Sequence, residues 1–145
     1  MKKYSAAIVS AVSAALAGFV IHVATQSWVQ TWVASHMQGR EVAASWDVRY
    51  LALTTSLETG VGLVVLYALL RRSMPGASSA IRGLLLALLL LAVMGRLFRQ
   101  PIMNFVIENP LSVVVVQDGV TWVVWSFMCV VVAIVYDRLA PKNAP

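Results

Sequence analysis

A chain of 145 residues that is 60% apolar and 12% charged, with a mean hydropathy of +0.81, has half the charge of an ordinary soluble domain, where roughly 25% is usual. Its net charge of +5 is not gathered into a Lys/Arg patch interleaved with exposed aromatics, which excludes a nucleic-acid footprint. What remains is an all-α integral membrane protein, a single membrane domain over residues 1–145, too short to enclose a wide transport pathway alone.

Four stretches, 4–33, 48–70, 82–107 and 111–136, reach the roughly 20 residues that a spanning helix needs. They predict four transmembrane helices in an antiparallel up-down bundle. Lys2, Lys3, Arg71, Arg72, Arg82, Arg138 and Lys142 fall at one set of helix ends. Arg40, Arg49, Arg96 and Arg99 fall at or toward the other. The positive-inside bias places both termini and the turn 71–81 in the cytoplasm, and the loop 34–47 outside. Acids run the opposite way: Glu41, Asp47, Glu58, Glu108 and Asp118 belong to the outer half, Asp137 to the inner. Tyr4, Tyr67 and Tyr136 near the inner ends, and Trp28, Trp32 and Trp46 near the outer ends, are expected to form aromatic belts.

In the first segment Ala6, Ser10, Ala14 and Gly18 recur every four residues. Small residues at that spacing let two helices approach closely, so the stripe predicts an intramolecular packing face in preference to a dimer contact. His22 and Gln26 extend it into polar side chains. Lys2 and Lys3, a short apolar run and Ala15-Leu16-Ala17 also resemble a secretory signal. The apolar run continues through Phe19-Val20-Ile21 to Trp32-Val33, which favours retention of the segment as a span. The outer loop carries Gly39-Arg40-Glu41 and Trp46, expected in a short interfacial helical piece.

Between the second and third segments, Ser73 to Ser79 with Pro75-Gly76 is a turn, and Ser78 or Ser79 is expected to cap the third helix. That helix should bend near Pro101, where a backbone donor is missing. The last segment contains the β-branched run Val113 to Val116; in lipid a helix is still required, because it satisfies its backbone internally. Cys129 is the single cysteine and is expected to pack in the core.

The candidate polar site lies in the outer half. Counted at about 1.5 Å per residue, Glu58 and Arg96 lie at matching heights, roughly 20 and 21 Å from the cytoplasmic boundary. A Glu58–Arg96 ion pair between segments two and three is therefore expected. Arg99, Asp118 and His22 come out at roughly 25–28 Å, which suggests a second cluster. Arg96, Gln100, Asn104 and Glu108 recur every four residues and predict an inward polar face. Charges near hydrocarbon pair or face a cavity, so the binding candidates are Glu58, Arg96, Arg99, Asn104, Glu108, Asp118 and His22. No residue is assigned to catalysis or to a metal, and no cofactor is assigned. Phosphate loops, nucleophile elbows and metalloprotease motifs are absent from the sequence.

The expected function is that of a non-enzymatic accessory or interaction subunit with a buried ion-paired cluster, in a bacterial-type plasma membrane. The alternatives are a small transporter or proton-linked carrier using Glu58 and Arg96, and a lipid- or quinone-linked membrane enzyme. The partners implied are the bilayer, a second copy or another membrane protein, and a lipid headgroup or small polar ligand.

Overall fold

The computed structural model describes residues 2–37 and 48–140. Their order is α1 (Lys2–His36), α2 (Val48–Leu70), α3 (Ser79–Val93), α4 (Arg99–Val106) and α5 (Leu111–Leu139). The described residues are all helical apart from turns. Three stretches are long and apolar enough to cross a membrane: Tyr4–Gln26, Leu53–Leu70 and Leu111–Leu139. The run Val113 to Val116 is helical, as the demand for internal backbone hydrogen bonds requires. The interfacial helical piece expected around Gly39 to Trp46 lies outside the described residues.

Helix α1 packs on both α2 and α5, while α3 packs chiefly on α5. Small residues set these crossings. Ala6, Ser10, Ala14 and Gly18 are all buried, and the Ser10 hydroxyl is returned to the Ala6 carbonyl of its own helix at 2.7 Å. The stripe is thus an internal packing face. A Cβ on Gly60 would lie 2.5 Å from the Ala11 carbonyl oxygen, so α1 and α2 touch backbone to side there. A Cβ on Gly83 would lie 2.7 Å from Val130 Cα, which marks the closest approach of α3 and α5. In lipid such packing, rather than the hydrophobic effect, holds helices together.

The interior is layered. A large apolar cluster joins Ala14, Leu63, Val64, Tyr67 and Leu86 to Met128, Val132, Ala133 and Tyr136, with Cys129 fully buried among them. A smaller one joins Val29, Val33 and Val113 at the opposite end. Between them the inward positions of α1 and α5 turn polar. On α1 the sequence along one face runs Ala14, Gly18, His22, Gln26, Val29, Val33; on α5 it runs Val113, Gln117, Thr121, Trp125, Met128. Positions three or four apart share a helix face, so one polar layer is inserted between two apolar ones.

The third segment departs from expectation. It does not continue from 82 to 107 with a bend at Pro101; it breaks at Gly95. Gly95 has φ 69°, its N–H donates to the Ala92 carbonyl at 3.0 Å, and the Arg96 N–H donates to the Leu91 carbonyl at 2.8 Å. This pair of bonds is a Schellman termination, which needs a left-handed residue that glycine supplies without strain. Pro101 falls in the first turn of α4, where N–H groups have no intrahelical acceptor, so its missing donor costs nothing. Helix α3 is left with 15 residues. Before it, the turn follows expectation: Ser78 is the N-cap and its hydroxyl accepts from Ile81 N–H at 3.3 Å.

Candidate functional site

A densely connected polar group among the described residues is Asp137, near the end of α5. Its Oδ2 accepts from the Tyr67 hydroxyl, the Ser79 hydroxyl and Arg82 Nη2, each at 2.7 Å. Its Oδ1 accepts from Arg71 Nη1 at 3.5 Å. Arg82 Nε also donates to the Tyr67 oxygen at 3.4 Å. The Arg71 guanidinium lies 5.2 Å from the centre of the Tyr136 ring, and Tyr136 meets Tyr67 edge-on at 6.0 Å. One carboxylate therefore ties together the end of α2, the start of α3 and the end of α5. Charge-assisted bonds of this length are the strong ones, and with both oxygens engaged the group is built to hold helices.

Sequence patterning missed this clasp. Tyr67 and Tyr136 are not belt residues: they are 0% and 6% exposed, because each ring closes one side of the cluster. The available signal was Asp137 itself, the single acid among the basic residues of its side.

The outer-half candidates are arranged differently from expectation. Glu58 on α2 and Arg96 in the α3–α4 turn line one groove of about 440 Å³, with Thr59, Leu63, Leu90 and Trp125. No ion pair joins the two among the described residues. Matching heights for Glu58 and Arg96 require one continuous third helix, whereas the break at Gly95 takes Arg96 out of helical register. Its backbone carbonyl, freed by that break, accepts the Trp122 indole N–H at 2.9 Å.

The expected grouping of His22, Arg99 and Asp118 separates. Asp118, 3% exposed, has Asn104 and the Arg96 charge as its polar neighbours. Arg99 is exposed at the start of α4. Glu108 is exposed in the turn that closes α4, with φ 61°. Of the predicted polar face, Gln100 and Asn104 remain half-buried one turn apart on α4.

His22 belongs instead to the polar layer. It lines a cavity of about 330 Å³ with Thr25, Gln26, Gln30, Gln100, Gln117 and Thr121, and a second of about 160 Å³ with Thr55, Ser56 and Thr59. The Thr25 and Thr121 hydroxyls donate to carbonyls of their own helices, Ile21 at 2.8 Å and Gln117 at 2.9 Å. Donors toward the cavity therefore come from the glutamines and from His22, whose buried Nε2 has no partner, while the threonine oxygens can still accept. On the other side of α5, Asp118 lines a crevice of about 320 Å³ whose remaining walls are Pro101, Ile102, Phe105, Leu111, Val114, Val115 and Trp122. Among the described residues no three His, Cys, Asp or Glu side chains converge as a metal site.

Fold and site define a small all-helical protein with three helices able to cross a membrane, an ionic clasp at one end and a polar layer in its interior. Comparison with protein-family models, with curated proteins and with solved structures finds no match.

Proposed function

We propose that this chain is a multi-pass protein of a bacterial-type plasma membrane. In this reading it crosses four times as an antiparallel up-down bundle with both termini cytoplasmic, and serves as a non-enzymatic accessory or interaction subunit. The α3–turn–α4 unit makes the third crossing. Arg71, Arg72, Arg82 and Arg138 gather at the clasp end, which supports a cytoplasmic position for that end.

The observation that carries the subunit reading is the clasp. Its carboxylate, on α5, is saturated by donors from α2 and α3, as suits a fixed structural element and not a group that must exchange protons or bind substrate. Native mass spectrometry of the gently solubilised protein tests the reading. A second copy or another membrane protein retained at fixed stoichiometry supports it; a bare monomer in every mild detergent argues against it.

A second reading, a small transporter or proton-linked carrier, is favoured by the groove that brings Glu58 and Arg96 to one surface without pairing them. It requires Glu58→Gln to abolish pH-dependent flux in vesicles while the protein stays folded.

A further inference from the structure

The crevice between α4 and α5 combines two features that membrane packing alone does not call for. Its walls are apolar from Pro101 to Trp122, and a single carboxyl, Asp118, interrupts them. Asp118 is 3% exposed, and its Oδ2 is buried without a hydrogen-bond partner. Buried polar atoms nearly always find partners, and each exception needs an explanation. Within a spanning segment an unsatisfied oxygen is costlier still, and an ionisable residue there marks a functional site by default.

The neighbours of the carboxyl decide which partner it lacks. Asn104 and the Arg96 charge both lie close enough to act on it. A second cation would be repelled by Arg96, and an anion by Asp118 itself. A neutral hydroxyl suffers neither penalty and supplies the donor that Oδ2 lacks. The rest of the ligand must be apolar to match the walls, and the Trp122 and Phe105 rings favour an aromatic body. A crevice of about 320 Å³ is at the lower end of small-molecule sites, roughly 300–1,000 Å³. Ile102, Phe105, Leu111 and Val115 of its walls are exposed on the helix surface, so in a bilayer the crevice would be entered from lipid.

We infer that the α4–α5 crevice binds a neutral, lipid-soluble hydroxyl compound, a phenol or hydroquinone ring, with its hydroxyl donating to the Asp118 carboxyl. The inference stands apart from the subunit reading above, since either a partner subunit or a carrier can hold such a molecule.

The test is photolabelling of the full chain in lipid nanodiscs with a diazirine-bearing lipophilic phenol and with its O-methyl ether, adducts being mapped by mass spectrometry. The phenol should label residues around 101–105 and 111–122 saturably, and excess 2,6-diisopropylphenol should displace it. The ether, equal in shape but without the donor, should label at least about tenfold more weakly, as the loss of a hydrogen bond to a charged group implies. Asp118→Leu should bring the phenol down to the ether's level. Should that variant fail to fold, Val115→Trp fills the crevice from its exposed side without touching the carboxyl, and should abolish saturable labelling. Equal labelling by phenol and ether, or saturable labelling that survives Val115→Trp, overturns the inference.

Discussion

Replacing Asp137 by alanine removes the acceptor shared by Tyr67, Ser79, Arg82 and Arg71. Breaking a fully buried ion pair costs about 3–5 kcal/mol, because the partner charge is stranded. Here the stranded charges keep some access to water: the Arg82 and Arg71 side chains are 27% and 12% exposed. The Tyr67 hydroxyl does not, since that residue is 0% exposed. The expected loss is therefore about 2–4 kcal/mol, somewhat below the fully buried case. Tyr67→Phe deletes one donor and leaves the carboxylate its other bonds, so about 1 kcal/mol is expected. Membrane-protein hydrogen bonds average about 0.6 kcal/mol in double-mutant cycles, which keeps that figure low. The two changes remove the same interaction from opposite sides. In an Asp137→Ala background Tyr67→Phe should then cost almost nothing more. Reversible unfolding in mixed detergent–SDS micelles, followed by far-UV circular dichroism, measures all three variants. Fully additive losses, or a loss under about 0.5 kcal/mol for Asp137→Ala, of the size seen at ordinary surface positions, would refute the clasp as a structural element.

The same assay separates the clasp from the groove. Glu58→Ala and Arg96→Ala should add to within about 0.5 kcal/mol, since no ion pair joins them; a coupling above about 1 kcal/mol would show that they pair. Glycines give a third, independent check. Gly83→Ala should weaken the fold, because its Cβ would meet Val130 Cα at 2.7 Å and the two helices must part. Gly62→Ala, with nothing within 4 Å, should raise stability by up to about 1 kcal/mol through better helix propensity; equal effects at the two positions would contradict the close approach of α3 and α5.

What the chain order alone disclosed was local. Three of the four long spans, the Ser78 cap and the small-residue stripe of α1 depend on patterns within a few turns, and they reappear in the structure with shifts of a few residues at their ends. The break at Gly95 was hidden because a glycine inside an apolar run reads equally well as a tolerated helical residue. Its meaning lies in a positive φ that sequence does not display. Pro101 drew attention instead, although a proline in the first turn of a helix breaks nothing. Counting Arg96 along one unbroken helix misplaces it, and its expected partner with it.

The site was less legible than the fold for a related reason. Asp137 meets Tyr67 across a separation of 70 residues and Arg82 across 55, and such pairs follow from which helices are neighbours. Height along a span predicts which side chains are level with one another. It does not say that α3 packs mainly on α5, which leaves Glu58 and Arg96 facing a groove. His22 was legible as polar, but its companions became visible only when α1, α4 and α5 were brought together.

The early end of α3 has a consequence for the surrounding lipid. At about 1.5 Å per residue its 15 residues cover about 22 Å, against a hydrocarbon core of roughly 30 Å. Helix α1, with 35 residues, exceeds that thickness. In a bilayer the protein would thus present a short flank and a long one. Lipid beside α3 would have to thin wherever the turn and α4 do not make up the missing height, while α1 tilts, at a cost of a fraction of a kcal/mol per ångström of mismatch. Covering the short flank with another protein surface removes that deformation, so hydrophobic mismatch would favour association on the α3 side before any specific contact forms.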